Sequence, residues 1–279
     1  MSAADWQILV TNDDGIDAPG LASLRDELRA IADVTVVAPA ENQSGVGRTR
    51  NELVDVQEHP WGLVVEGTPA DCVAYGLRGL SRSFDMVVAG VNEGPNTGNY
   101  VVGRSGTVGA GLEAAFLGVP AMAVSAYHST DFFIIPPEEY DFARPARIAT
   151  ELVRRTIDGA VFEEVDLLNV NAPVDAPTPG VMLTEPFHDY EQVIEQEQRV
   201  TADGAPTRYR VQLHDRTWPG VVGWENPFPP VDGYRQRYPV GSDRRALVDA
   251  QVSVSPLSVT HGTPDSATLA AIVEGVDPR

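Results

Sequence analysis

Hydrophobic and polar positions follow two different periods along the first two-thirds of the chain. Short apolar runs rich in Val, Ile, Leu and Ala alternate with longer stretches in which apolar residues recur at helical spacing. This alternation is typical of β-α-β units, in which helices cover both faces of a parallel sheet. We therefore predict a doubly wound α/β fold whose strands include residues 7–11, 34–38, 63–65, 86–89, 121–125 and 167–170.

Helical periodicity predicts four helices between these strands. One covers residues 19–31, where Leu and Ile fall on one stripe behind an opening Pro. A second begins after Thr68, whose hydroxyl can cap it while Asp71 completes a capping box. The third and fourth helices are predicted at residues 105–117 and 142–157.

The sequence changes character after Pro173. Pro, Gly, Gln and aromatic residues accumulate without a helical period, which favours an extended β-rich arm or hairpin over a second catalytic domain. Strand-like alternation returns at residues 246–260, and a short helix is predicted at 266–273. We thus divide the chain into a catalytic core, an arm, and a C-terminal strand and helix that return to the core, at residues 1–185, 186–240 and 241–279.

Charge and composition exclude several classes of partner. Forty acidic and twenty basic residues give a formal charge of −20, which repels polymeric nucleic acid and anionic membrane surfaces. All the basic residues are Arg, a pattern typical of a salt-adapted proteome, where salt screens the self-repulsion. No apolar run approaches the roughly 20 residues of a membrane span, and the N-terminus has no signal-peptide pattern. We therefore expect a cytoplasmic protein without a membrane partner, in which most carboxylates lie on solvated faces.

One cysteine, Cys72, is present, so the sequence excludes an internal disulfide and a cysteine-based metal cluster. Its place within the second predicted helix indicates a small core residue.

Polar clusters follow the predicted strands where a parallel sheet binds ligands, outside the carboxyl ends. TNDDG follows the first strand, APAENQSGVGR the second, and GVNEGPNTGN the strand at 86–89. The last of these leads into GRSGTVGAG at the start of the third helix. We expect these four segments to lie together at one crevice, at the carboxyl edge of the sheet.

Asp13 and Asp14 are the candidate metal ligands. Neighbouring side chains on a regular strand point to opposite faces, so both reach one ion only if the chain has left the strand, which Gly15 permits. Carboxylates suit Mg²⁺, Mn²⁺ or Ca²⁺, whereas zinc sites normally recruit His or Cys, and all five histidines lie outside these segments. Ser44 and Asn92 could add neutral oxygens. On this motif alone, a turn stabilised by Asp side chains is an equally good interpretation.

The segment at residues 103–111 is a candidate anion site. Backbone amides at a helix N-terminus favour an anion, and the hydroxyls of Ser105 and Thr107 would add donors. The segment lacks the Lys of a nucleoside triphosphate P-loop. GAGLEA matches a loose dinucleotide fingerprint, but it falls inside the predicted helix, so close helix packing is the preferred interpretation.

Taken together, these segments resemble the SurE family of nucleotidases, also called stationary-phase survival proteins. ILVTNDDGIDAPGL, VVAPAENQSGVGR, GTPADCV, DMVVAGVNEGPNTG and SGTVGAGLEAAFLGVPAMAVS occur in the family's order and spacing over residues 7–126. LLNVNAP and GSDRRALVDAQVSVSPL extend the likeness into the C-terminal part. The resemblance implies a Rossmann-like core and a phosphomonoesterase that acts on nucleoside 5′-monophosphates, and also on 3′-monophosphates in one reading.

The resemblance also implies a site. The family's metal ligands match Asp13, Asp14, Ser44 and Asn92, which would hold one divalent cation per subunit, Mg²⁺ or Mn²⁺. Its phosphate-binding residues match Asn96, Ser105, Gly106 and Thr107. The catalytic role falls on Asp13 and Asp14, and the arm would exchange between subunits of a homodimer or homotetramer.

The chain departs from the family pattern in two places. NYVVGR precedes SGT, so Arg104 brings a positive charge beside the expected phosphate site. Residues 218–238 match the family poorly, which bears on subunit exchange.

Three alternatives remain open at the level of sequence. The nucleophile is either water or, through an aspartyl-phosphate, Asp13 or Asp14. A metal-dependent deacetylase also places paired Asp residues after its first strand, but it needs His ligands. A non-catalytic nucleotide-binding oligomeric scaffold would use the Asp pair only to shape a turn.

Overall fold

The computed structural model describes residues 6–129, 140–157, 161–176, 179–188, 192–199, 209–215, 235–236 and 238–259. The strands in these ranges are β1 Gln7–Thr11, β2 Asp33–Pro39, β3 Val56–His59, β4 Gly62–Val65, β5 Met86–Glu93, β6 Ala121–Tyr127, β7 Leu167–Pro173, β8 Val181–Leu183, β9 Gln192–Arg199, β10 Tyr209–Asp215 and β11 Val252–Leu257. The helices are α1 Pro19–Leu28, α2 Pro69–Gly79, α3 Asn99–Arg104, α4 Gly106–Phe116, α5 Ala143–Thr156, α6 Val161–Glu164 and α7 Asp243–Val248.

Nine strands form one mixed sheet in the order β3-β4-β2-β1-β5-β6-β7-β11-β8. The neighbours from β4 to β7 are parallel, whereas β3 and β11 each run antiparallel to a neighbour. The chain proceeds outward from β1 on one side and from β5 on the other, so the direction of winding reverses between these two central strands. Such a reversal opens a crevice at the carboxyl ends of the strands, where doubly wound proteins bind their ligands.

Helices cover both faces of the sheet, as the α/β prediction requires. On β1, Ile8 and Val10 join the core beneath α1 and α5, whereas Leu9 joins the core beneath α2 and α4. Both faces of this strand are therefore dry, which explains its continuous apolar sequence. The Rossmann-like fold class is confirmed.

Local signals placed the first helices correctly. Pro19 occupies the first turn of α1, and α2 begins with the predicted capping box, in which Thr68 and Asp71 bond each other's backbone amides. Cys72 is buried in α2, as expected of a small core residue.

The C-terminal prediction was partly wrong. Residues 246–248 belong to α7 instead of a strand, because Ser242 caps this helix by accepting a hydrogen bond from the Arg245 amide at 3.2 Å. The predicted strand is β11, which begins only at Val252. The helix predicted at 266–273 lies outside the described residues.

Four further short elements among the described residues were not predicted: the strands β3 and β8 and the helices α3 and α6. Within the range assigned to the arm, β9 and β10 pair antiparallel, and the role of this region in assembly stays a prediction. Across the portions of the chain that the structure describes, no helix is long and apolar enough to span a membrane.

Candidate active site

Asp13 lies just beyond β1, at the N-terminus of α4. Its carboxylate is buried and accepts a hydrogen bond from the Thr107 hydroxyl, and the amides of Gly106 and Thr107 also face it. A side chain at Gly106 would not fit, since an added Cβ would lie 2.8 Å from the Asp13 carboxylate. The positive end of the α4 dipole thus faces the Asp13 carboxylate in the loop after β1.

Asp14 lies between the loop that follows β2 and the end of β5. Its carboxylate accepts hydrogen bonds from the Asn42 amide group and from the Glu93 backbone amide, each at 3.3 Å. Asn42 in turn accepts a hydrogen bond from the Ser44 amide at 2.9 Å. Asp14 is therefore tied on one side to the loop that carries Ser44 and on the other to the residue after Asn92. The chain has left β1 here, and Gly15 adopts φ +105°, as the sequence argument required.

Burial gives the Asp pair unusual electrostatics. It raises the pKa of Asp13, and the hydrogen bonds from Thr107 offset only part of this effect. Burial, with the neighbouring charge of Asp13, raises the pKa of Asp14 to about 7. Among the described residues, no Arg or His forms an ion pair with either carboxylate. A cation bound between two such carboxylates would offset the cost of burial and their mutual repulsion.

The donor set fits a hard divalent cation. Two carboxylates are adjacent, and the buried side-chain oxygen of Asn12, the preceding residue, has no hydrogen-bond partner. In the described part of the chain, no third His, Cys, Asp or Glu joins the pair to make a metal-binding cluster. Further ligands would therefore be neutral oxygens such as those of Ser44 and Asn92, with water, which suits Mg²⁺ or Mn²⁺ better than Zn²⁺.

Ion pairs fasten the Ser44 loop to the helices. Arg48 and Arg50 each contact the buried carboxylate of Glu113 in α4 at 2.8 Å. The backbone of this loop also approaches α4 closely, because an added Cβ at Gly109 would lie 2.3 Å from the carbonyl oxygen of Gly47. Close packing thus explains the glycines of GAGLEA, as preferred from the sequence. Ser44 itself is exposed at the tip of the loop.

Asn92 lies near the end of β5 and Asn96 in the segment that follows it, and both are buried. The Asn96 side chain donates to the Ser125 hydroxyl at 2.9 Å, and its backbone amide donates to the Asn171 side chain at 2.7 Å. Its carbonyl oxygen accepts from Asn169 and Asn171 at 2.9 and 3.2 Å. Asn96 is thereby anchored to β6 and β7.

The expected anion donors are partly engaged within the protein. The Ser105 hydroxyl oxygen caps α4 by accepting from the Val108 amide at 3.1 Å, and the Thr107 hydroxyl donates to Asp13 instead of facing outward as a free donor. Of the eight site residues predicted from the sequence, Asp13 contacts Gly106 and Thr107. Asp14 is hydrogen-bonded to Asn42 and Glu93. Ser44, Asn92 and Ser105 lie on the segments that adjoin Asp13 and Asp14.

Sequence reasoning missed the residues that hold the site residues in place. Asn42, Glu113, Asn169 and Asn171 lie within segments quoted above, but the sequence predicted no role for them. LLNVNAP does contain a usable signal, because two Asn residues at alternate positions of a buried strand must face the same side and need polar partners there.

The chain was compared with known proteins. A family model described as survival protein SurE matches residues 8–193. A protein of Halobacterium salinarum named 5′-nucleotidase SurE is 46% identical over 265 residues, covering 94% of this chain and 95% of that protein. One of the same name from Natronomonas pharaonis is 44% identical over 272 residues, covering 96% and 98%. Both organisms are halophilic archaea, in keeping with the acidic, lysine-free composition of this chain.

Among solved structures, the crystal structure of SurE protein from Aquifex aeolicus superposes with a TM-score of 0.71 at 27% sequence identity. The match covers 96% of this chain and 99% of that one.

Proposed function

The chain belongs to the survival protein SurE family, and we propose that it hydrolyses nucleoside 5′-monophosphates with one divalent cation held at Asp13 and Asp14. Its enzyme class is phosphoric monoester hydrolase, because relatives that match nearly its whole length at 44–46% identity are 5′-nucleotidases. The cation, the site residues and any action on 3′-monophosphates belong to the proposal.

One observation carries the proposal: two adjacent, desolvated carboxylates lie at the winding reversal of the sheet, against the N-terminus of α4. Carboxylates kept from water without a cationic partner are unfavourable for stability alone, and such strongly perturbed groups in a crevice are typical of functional sites. The same crevice places a helix N-terminus, which favours the anionic phosphate, beside a site suited to a cation.

Hydrolysis of a phosphomonoester joins a water oxygen to phosphorus and breaks the ester P–O bond, and the leaving oxygen takes a proton. Asp13 and Asp14 would hold the cation, with Ser44 and Asn92 as neutral ligands. When bound, a divalent cation neutralises phosphoryl charge and lowers the pKa of water.

The remaining residues position the phosphate. The N-terminal turn of α4 directs its dipole toward the phosphoryl oxygens, and Gly106 allows close approach of the backbone. Asn96, anchored to β6 and β7, would fix the far side of the phosphate. Arg104 donates to the Tyr100 hydroxyl at 2.7 Å and adds a positive charge at the rim.

Release of inorganic phosphate from a nucleoside 5′-monophosphate tests the proposal. The assay compares Mn²⁺ or Mg²⁺ with a chelator, in molar KCl. We expect the chelator to abolish release, and Asp14→Asn to lower kcat/KM by roughly 10²- to 10⁴-fold. Asp17→Asn is the matched control, because its side chain is 81% exposed and lies only three residues away, so its kcat/KM should stay unchanged.

Equal activity of wild type, chelated enzyme and Asp14→Asn would overturn the metal site. No phosphate release from any nucleotide would favour the scaffold, and zinc found in the purified protein would revive the metal-dependent deacetylase. We propose direct attack by water; an acid-labile phosphate trapped on Asp13 or Asp14 would instead establish the aspartyl route. A parallel assay with a nucleoside 3′-monophosphate decides whether both esters are substrates.

We also propose that the enzyme works as a cytoplasmic homodimer or homotetramer, with the arm at 186–240 at the subunit contact. Light scattering in molar KCl on the full chain and on a variant shortened in the arm tests this assembly. A monomeric full chain would refute it.

A further inference from the structure

Asp243, the first residue of α7, is a buried carboxylate far along the chain from the metal loop. Its side chain has no solvent exposure. One carboxylate oxygen accepts from the Gly98 amide at 2.7 Å, and the other accepts from the Phe187 and Arg244 amides at 2.9 and 2.7 Å. A single carboxylate therefore joins three segments, one of which is the loop between β5 and α3.

That loop carries Asn96, two residues before Gly98. It changes direction at Gly94 and Gly98, both of which adopt positive φ angles of 103° and 77°. Backbone amides in such a turn need acceptors when they are buried, and the Gly98 amide receives one from Asp243. The loop is thus held at Asn96 by amide side chains of β7, and at Gly98 by a carboxylate of α7.

Arg244 packs against the same loop from the adjacent position of α7. An added Cβ at Gly98 would lie 2.7 Å from its guanidinium. The guanidinium also lies over the rings of Phe187 and Tyr238, 5.7 and 5.8 Å from their centroids. This packing excludes water from the Asp243 carboxylate, so its hydrogen bonds with the loop amide act in a dry environment, where they are stronger.

We propose that Asp243 is a positioning residue, which holds the segment from Asn96 to Gly98 in the geometry that binds the phosphate. It touches neither the metal ligands nor the substrate, and it acts through the Gly98 amide. The proposal rests on the proposed function, because it assigns Asn96 to the phosphate site. It couples the C-terminal part of the chain to the catalytic crevice, a link that no sequence motif revealed.

Asp243→Asn is the direct test. The substitution keeps the shape of the side chain but turns one acceptor into an NH₂ group that faces a backbone amide, so the loop must shift. A displacement of about 1 Å can cost on the order of 10²-fold in rate. We expect KM for the nucleotide and the inhibition constant of inorganic phosphate to rise at least about 10-fold, while the affinity for Mn²⁺ stays within about twofold.

Asp249→Asn is the matched control at the other end of the same helix. Its carboxylate accepts from Arg235 and Arg245 at 2.8 and 2.7 Å, and among the described residues it makes no hydrogen bond to the loop between β5 and α3. This variant should lose a comparable number of hydrogen bonds and keep wild-type KM and phosphate inhibition. A purely structural role for Asp243 predicts equal behaviour of the two variants, and that result would overturn the inference.

Coupling with Asn171 provides a second test. Asn171→Ala removes the anchor of the Asn96 amide, so its effect on phosphate inhibition should be non-additive with that of Asp243→Asn. Strictly additive effects would contradict a shared loop.

Hydrogen exchange in the wild-type chain tests the contact even if the Asn variant does not fold. The Gly98 amide should be protected as strongly as the amides of α7, and rapid exchange would contradict the inference. The two proposals fail separately: wild type that releases no phosphate refutes the function, whereas active wild type with indistinguishable Asp243→Asn and Asp249→Asn refutes only the positioning role.

Discussion

Two buried aspartates lie at the N-termini of neighbouring helices and differ in almost every other respect. Asp13, at α4, and Asp71, at α2, are each only 3% exposed. Burial alone would raise the pKa of both. For Asp71, hydrogen bonds from the Thr68 amide at 2.9 Å and from the Asn51 amide and side chain at 2.9 and 2.7 Å outweigh burial, so its pKa lies below the ordinary range. For Asp13, burial outweighs the hydrogen bonds and the pKa is raised.

The difference separates a structural carboxylate from a ligand. The sequence has forty acidic residues, so an acidic side chain by itself indicates nothing. Asp71 has its partners within the protein and stabilises a capping box. Asp13 and Asp14 lack sufficient partners, and this shortage is what a cation would relieve.

The largest expected effect on stability comes from Asp71→Asn. An NH₂ group would face the donors of Thr68 and Asn51, and the buried network would lose its acceptor, which costs about 2–4 kcal/mol in the free energy of unfolding. Phosphate release per folded molecule should stay within about twofold of wild type. Urea denaturation and the phosphate assay measure the two quantities on the same sample.

Asp26→Asn is the control for this substitution, because its side chain is 61% exposed and should change the unfolding free energy by less than about 0.5 kcal/mol. A stable but inactive Asp71→Asn enzyme would invalidate the separation of roles.

The two kinds of carboxylate also predict opposite pH dependence of stability in metal-free protein. With a pKa of about 7 against an ordinary 3.8, Asp14 keeps its proton in the folded state while the unfolded chain loses it, so stability falls as pH rises between these values. Asp71, whose folded pKa is lowered, contributes stability above the ordinary value that is lost as pH falls through its folded pKa. Asp14→Asn should remove the fall toward neutral pH, worth roughly 1–3 kcal/mol.

Urea unfolding of chelated wild type and Asp14→Asn, from pH 5 to pH 8, measures this term. Equal slopes for the two proteins would show that Asp14 is ionised in the fold without penalty.

The smallest expected effects come from replacing the two threonines that bond these aspartates, Thr68 beside Asp71 and Thr107 beside Asp13. Thr68→Val removes the hydroxyl that accepts from the Asp71 amide at 3.2 Å, and it should cost about 1 kcal/mol in stability without lowering kcat/KM. Thr107→Val removes the hydrogen bond to Asp13 and should lower kcat/KM about 10-fold, as loss of a residue that orients a metal ligand does. Exchange of these two outcomes would reverse the assignment of the aspartates.

The elements that the sequence predicted are those whose signals are local. Thr68 and Asp71 predict the capping box of α2, and the apolar stripe of α1 predicts which face of that helix is buried. Residues 246–248 misled because three apolar or small residues fit either a strand or a short helix, and only the Ser242 cap decides between them.

The sequence predicted which loops form the site, because the carboxyl ends of parallel strands lie at the same edge of the sheet. The strand order, which places β1 beside β5, brings Asp14 to the residue after Asn92, and family resemblance supplied the roles. The anchoring of Asn96 to β6 and β7, and that of Gly98 to Asp243, join residues far apart in the sequence, which no local pattern encodes.

Equilibrium binding of Mn²⁺ to chelator-treated protein tests the central claim most directly, because it requires no turnover. Isothermal titration in molar KCl should give one site per chain for wild type and for Asp71→Asn, and Asp14→Asn should bind at least about 10²-fold more weakly. Wild-type affinity in Asp14→Asn, or loss of the site in folded Asp71→Asn, would contradict the assignment of the cation to the Asp13–Asp14 pair.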